Sequence, residues 1–157
     1  MATKPTKTVL LKTKLNLNGR TELSRTQLLI EVDDLPEWAG AYVVRYATHF
    51  INRHTSSSPI LKIGEAAKGI RYRFENYNHQ TTVTIDTRNV VDIMLERSQT
   101  TNVRLMHYIS HNTIKSDIYI DCYALNPGQT AKQLEFALLR EYFDAHNELP
   151  PLNFGFK

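Results

Sequence analysis

Apolar and polar positions fall into a few short runs whose periods differ. AYVVRYA (residues 41–47) and ILKIG (60–64) are β-branched and aromatic and predict two strands, antiparallel to each other. SDIYIDCYAL (116–125) predicts a third. TVLLKTKLNLNG (8–19) alternates partly and ends in Asn18-Gly19, which predicts a strand and a turn. SRTQLLI (24–30) carries Ser24 with Gln27 three residues on, a capping-box pattern for a short helix. Thr130 and Gln133 repeat that pattern and open a helix through about His146. A further helix is expected from Glu65 to Tyr77, with Gly69 as an alternative start, and another over RNVVDIMLERS (88–98) behind Thr87. DDLPEWAG (33–40) reads as a connection, residues 48–59 as a polar loop, TTVTIDT (81–87) as strand or loop, and NPGQ (126–129) as a turn. TNVRLMHYISHN (101–112) fits either period, and Pro150-Pro151 makes the tail irregular. The expected architecture is α+β: a small mixed or antiparallel sheet of about three core strands flanked by helices, in one domain over 1–157.

Composition adds compartment and charge. The 157 residues suit one domain with a real core. No apolar run is long enough to span a membrane, the basic start does not read as a signal peptide, and one cysteine, Cys122, cannot form an internal disulfide. A cytoplasmic setting is therefore expected. The net charge is +3, yet residues 1–25 hold six basic residues against Glu22 alone, so that segment carries +5 and the rest −2. A basic arm with Lys12, Lys14 and Arg20, within an extension over 1–34, suits a polyanion such as DNA, or serves only solubility.

Candidate chemistry gathers around Lys62, a lysine inside an apolar strand. If the first two strands pair, Tyr42 and Lys62 become cross-strand neighbours. An ammonium there lowers the tyrosine pKa from about 10 and makes a usable general base. The pair also fits an ordinary half-buried tyrosine beside a lysine that extends to water. Arg71 and Arg73 lie two apart on a helix, so only one can serve the same site; a guanidinium fork matches phosphate oxygens. Glu135 shares a mostly apolar helix face with Ala131, Leu138, Leu139 and Tyr142, a costly place unless it pairs, for instance with Lys132, or binds a metal. Lys68 and His79 flank the arginine helix and are further candidate phosphate contacts. His107 and His111 have a zinc-compatible spacing but no third ligand, Asp117 and Asp121 flank a strand as candidate second metal ligands or as sheet-edge solubility, and Ser56–Ser58 lack a base.

In order along the chain, GAY at 40–42, KIG at 62–64, Arg73, Glu135 and Asn153 resemble the GIY-YIG nuclease superfamily. LPEWAGAY is similar to the family's lead-in, IRYRFENY to its arginine helix, and the stretch from Gln133 to Asn153 to its glutamate helix and closing P-x-N. The step from Arg73 to Tyr77 matches the family spacing, which makes Arg73 the catalytic match and Arg71 the helper. Lys62 replaces the tyrosine of the second motif, as in a subgroup that includes type II restriction endonucleases and phage-encoded proteins. About sixty residues between Arg73 and Glu135 imply an insertion near 80–115.

The resemblance implies an endonuclease that hydrolyses DNA phosphodiesters, most readily a type II restriction enzyme. Tyr42 would be the base, Lys62 its partner, Arg73 the neutraliser of the scissile phosphate, and Glu135 the ligand of one Mg²⁺ or Mn²⁺. Tyr77 would support Arg73, and Asn153 would tie the tail to the site. The implied partner is double-stranded DNA, with a homodimer when both strands are cut. The alternatives are a phage or mobile-element nuclease of another role, and a non-cleaving nucleic-acid binder of the same fold.

Overall fold

The computed structural model describes residues 3–16, 27–80, 105, 109 and 116–153. Among the described residues its centre is a fully antiparallel sheet of four strands: β1 (Lys7–Leu10), β4 (Gly40–Tyr46), β7 (Ile60–Ala66) and β8 (Ile118–Ala124), in the order β1-β8-β4-β7. The expected three strands become four because residues 7–10 extend the sheet beyond β8, with Lys7 opposite Cys122. Two small ladders stand apart: β2 (Thr13–Asn16) with β3 (Gln27–Ile30), and β5 (Ile51–Asn52) with β6 (Ser57–Ser58).

Successive residues of β4 point to opposite faces, and each face receives a helix. Tyr42, Val44 and Tyr46 pack with Ile70, Phe74 and Tyr77 of α1 (Ile70–Gln80). Ala41 and Val43 pack with Leu134, Leu138, Leu139 and Tyr142 of α2 (Ala131–His146). That second helix starts as its sequence predicts. The Thr130 hydroxyl accepts from the Gln133 N–H, and the Gln133 side chain accepts from the Thr130 N–H.

Three expectations need correction. Residues 27–30 are a strand, not the start of a short helix, because the ladder to β2 satisfies their backbone and buries Ile30. A helix this short is marginal without such partners. The Asn78 side chain also accepts from the Ile30 N–H and donates to its carbonyl. Secondly, the 48–59 loop contains the β5–β6 hairpin, fastened to the end of α2. Arg53 pairs with Glu148 and donates to the Leu149 carbonyl, and Ser56 bonds His146. Thirdly, of the two expected starts for α1 the structure takes the one at Gly69 and not Glu65. β7 runs on to Ala66, opposite Gly40, and the chain turns at Gly69, whose φ is +116°. A Cβ on Gly69 would sit 2.3 Å from the Glu37 carbonyl oxygen, so this turn needs glycine.

Leu105 and Ile109 are both helical, Leu105 buried in the core and Ile109 packed against it, which gives these two positions of the ambiguous stretch the helical period. The expected turn at Asn18-Gly19, the helix behind Thr87, and His107 and His111 lie outside the described residues, as do most of 80–115.

Candidate active site

The first motif and the third meet through two tyrosines. Tyr42 lies opposite Gly64 in the β4–β7 ladder, and its ring crosses the space above that glycine. A Cβ there would fall 2.3 Å from both Cζ and Oη of Tyr42. The Tyr42 hydroxyl is 2.5 Å from that of Tyr77. Phe74 stands edge-on to Tyr42, ring centres 5.0 Å apart, and packs beside Tyr77 at 5.1 Å. Ile70, Phe74 and Tyr77 share a helix stripe, which is why α1 brings its tyrosine to the sheet.

Both phenols are fully buried, and burial raises both pKa values. For Tyr42 the main opposing influence is the charge of Arg73, ahead of the hydrogen bond with Tyr77. The expectation that Lys62 holds the Tyr42 pKa down is therefore corrected twice. The net shift is upward, and the cation that chiefly favours the phenolate is Arg73. The register explains this: Lys62 pairs with Val44, one step along the face from the Tyr42–Gly64 pair.

Arg73 lies half-buried on α1, its guanidinium carbon 5.9 Å from the centre of the Tyr77 ring. Its Nε is buried and makes no hydrogen bond to the protein. Arg71, two residues earlier, points elsewhere, as helix geometry requires. It donates to the Leu35 and Asp33 carbonyls at 3.0 and 2.9 Å and pairs with Glu37 at 2.9 Å. Arg71 thus clamps the 33–37 connection to α1. The same connection caps the helix, since the Ile70 and Arg71 N–H groups donate to the Trp38 and Pro36 carbonyls.

Glu135 reaches this region from the other face, round the outer edge of β7. Two residues of the tail close that edge. The Leu152 N–H donates to the Leu61 carbonyl at 3.0 Å. Asn153 accepts from the Ile63 N–H at 2.9 Å and donates to the Ile63 carbonyl at 2.8 Å, as a neighbouring strand would. The Glu65 N–H acts on the Glu135 carboxylate and favours its ionised form. Burial raises the Glu135 pKa, as does the Glu65 carboxylate; Lys62, that N–H and Arg73 oppose the shift. Lys62 is 4% exposed, and its charge acts here on Glu135.

Glu65 was missed at the level of sequence because a helix was expected to start there. As a strand residue opposite Ala41, it lies on the α2 side, where it acts on Glu135. The alternation of ILKIGEA, read two residues further, carries that signal.

The other candidates separate. Lys68 is exposed and lines a cleft of about 250 Å³ with Glu65, Arg73 and Asn76. Lys12 and Lys14 are exposed beside the β2–β3 ladder. Arg20 and the His79 side chain lie outside the described residues. Lys132 is exposed and is not the partner expected for Glu135, whose cations are Lys62 and Arg73. Asp121 is held by Arg45 at 2.6 Å and by Thr8 at 2.7 Å, so it is a structural ion-pair member rather than a metal ligand. It borders a larger cavity of about 600 Å³ beside Arg45 and Tyr142, which none of the motif residues lines. Burial pushes the Cys122 thiol up to about 12, which leaves it inert.

Among the described residues no group of three or more His, Cys, Asp or Glu converges on a metal position, and no helix is long and apolar enough to cross a membrane. A divalent ion would thus rely on Glu135, with Glu65 beside it. One or two hard carboxylates completed by water and phosphate are the donor set that Mg²⁺ and Mn²⁺ accept.

No family model matches the chain, and no curated protein matches it. Among solved structures, the restriction endonuclease HPY188I in complex with product DNA aligns with 91% of this chain and 78% of its own, at 18% identity and a TM-score of 0.31. That likeness is too slight to carry fold or activity across.

Proposed function

We propose that this protein is a divalent-metal-dependent DNA endonuclease of the GIY-YIG type, a phosphodiester hydrolase of the type II restriction kind. The observation that supports this reading is the Tyr42–Tyr77 hydroxyl pair, on which the charges of Arg73 and Glu135 both act, with Lys62 and Arg73 acting in turn on Glu135. A base, a phosphate-neutralising guanidinium and a metal-binding carboxylate are the parts that phosphodiester hydrolysis needs.

The Tyr42 phenolate takes a proton from the attacking water as its oxygen bonds to phosphorus and the P–O bond to the leaving oxygen breaks. Tyr77 donates a hydrogen bond to that phenolate. Arg73 favours the phenolate and neutralises charge growing on the phosphate. Glu135 would hold one Mg²⁺ or Mn²⁺, which when bound supplies Lewis-acid stabilisation of the leaving oxygen. Lys62 favours the ionised form of Glu135.

Double-stranded DNA is the substrate in this reading, and a homodimer would place two sites on two strands. Base edges would be read by the β5–β6 hairpin, residues 80–115 and the basic N-terminal residues. Incubating supercoiled plasmid with Mg²⁺, and in parallel with EDTA, tests the activity. Metal-dependent nicking that Arg73→Ala and Glu135→Ala abolish is expected. Failure to cut any duplex, single strand or branched substrate sinks it.

A second reading is favoured by one observation, the complete burial of Tyr42 with its pKa raised. It makes the protein a nucleic-acid binder of the same fold that does not cut. Duplex binding with no cleavage under any divalent ion would select it.

A further inference from the structure

The 250 Å³ cleft beside Arg73 carries a second cation that the catalytic reading does not use. Its lining includes Glu65, Lys68, Gly69, Tyr72, Arg73 and Asn76. Arg73 turns toward Tyr42, whereas Lys68 and Tyr72 are exposed and form the solvent flank. The Lys68 ammonium stands over the Tyr72 ring, 5.5 Å from its centre, within cation–π range. Among the described residues it forms no ion pair.

The local fold sets this arrangement. The tight turn at Gly69 places Lys68 between the end of β7 and the start of α1. The first N–H groups of α1 are taken by the Trp38 and Pro36 carbonyls. An anion at this end of the helix would thus meet side-chain cations rather than the helix terminus. The cleft is smaller than the roughly 300–1,000 Å³ of enclosed small-molecule sites. A piece of polymer backbone suits it better than a whole metabolite.

We propose that Lys68 and Tyr72 form a seat for the backbone phosphate next to the one that is cut. This rests on the endonuclease reading and names how that site holds its substrate. The tyrosine face orders the lysine before binding, so less side-chain freedom is lost when the phosphate arrives. The ammonium keeps three donors for phosphate oxygens. Glu65 lines the same cleft but also acts on Glu135, on the α2 side of β7, so the cleft has a carboxylate side and a cation side.

The test is duplex binding by fluorescence anisotropy in EDTA over a salt series, with cleavage kinetics in Mg²⁺ alongside. One lost phosphate contact flattens the slope of log K against log salt by about 0.9. Lys68→Met is expected to show that change, with KM raised and kcat unchanged, while Lys68→Arg keeps the wild-type slope. Tyr72→Ala is expected to weaken binding about two- to fivefold, and Tyr72→Phe to bind as the wild type does. Both positions are exposed side chains, and matching thermal melts would show each of the four variants folded. A wild-type slope and KM in Lys68→Met overturn the seat while leaving the nuclease reading intact. Wild-type affinity in Tyr72→Ala overturns the part given to the ring. A wild-type chain that binds no duplex overturns both the seat and the endonuclease.

Discussion

Tyr42 and Gly64 face each other across the β4–β7 ladder, and the tyrosine ring occupies the place where any other residue at 64 would put its Cβ. The two short motifs GAY and KIG are therefore one packing unit. The glycine of the second exists for the tyrosine of the first, and that ring then extends to Tyr77 and Arg73.

Gly64→Ala tests that unit. Its new methyl would fall 2.3 Å from the Tyr42 ring, which Phe74 and Tyr77 confine on the far side. Overpacking of a closed core costs about 1–3 kcal/mol. Urea denaturation should show a loss in that range, and cleavage should fall further than stability, because Tyr42 is displaced. A variant that keeps both wild-type stability and wild-type rate would mean that Tyr42 does not need its present position.

The pH–rate profile tests the base. Burial raises the Tyr42 pKa, so it lies above the ordinary value of about 10. Below that pH the phenolate fraction grows tenfold per unit, and cleavage should climb without a plateau until about pH 10. Arg73→Met removes the main influence that opposes the rise. Its Tyr42 pKa should move further up, read by phenolate absorbance. Losing the guanidinium should also cost about 10²–10³ in kcat. A plateau near neutral pH would assign the base to another group.

Lys62 has a different expected signature. It opposes the upward shift of Glu135, so Lys62→Met should raise that carboxylate pKa further. Proton competition at Glu135 should then persist to higher pH, and the acid limb of Mn²⁺ binding should move upward. Isothermal titration of Mn²⁺ across pH reads this without any cleavage. The same titration on Glu135→Gln should lose the ion. An acid limb unmoved in Lys62→Met would separate the lysine from the metal.

The buried tyrosine pair also links stability to pH. Tyr42 and Tyr77 have raised pKa values in the folded chain, so folding holds their protons more tightly than the unfolded state does. Their contribution is fully present below the unfolded value of about 10 and is lost as pH rises through the folded values. The denaturation midpoint should therefore fall on the alkaline side of about pH 10. Tyr77→Phe removes one of the two groups and should soften that fall.

Much of this was legible in the sequence where local rules and tertiary packing agree. The strands over 41–47, 60–64 and 116–125 are two-sided core elements, so apolar content alone marks them. The Thr130 and Gln133 box is a self-contained hydrogen-bond motif and fixes its helix. Residues 27–30 went the other way because they take their partners from β2 and, at Ile30, from Asn78, forty-eight positions along the chain. The identity of the cation beside Tyr42 was beyond reach for a similar reason. Strand pairing placed Lys62 and Tyr42 on one face, but register and the approach of α1 decide which charge reaches the phenol.

Asn153 offers the last test, because its role is that of a missing strand. β7 is an edge of the sheet, and at Ile63 both outward backbone groups are met by one side-chain amide, at 2.9 and 2.8 Å. An unpaired edge of this kind costs hydrogen bonds and invites pairing with another chain. Each bond contributes about 0.5–1.5 kcal/mol net, so Asn153→Ala should lose about 1–3 kcal/mol in urea denaturation. Asn153→Asp keeps the acceptor for the Ile63 N–H and loses the donor to its carbonyl, so its loss should be smaller. Hydrogen exchange locates the effect. The Ile63 amide should lose protection in Asn153→Ala and keep most of it in Asn153→Asp. Equal protection in both variants would mean that the tail is held by Leu152 rather than by the amide.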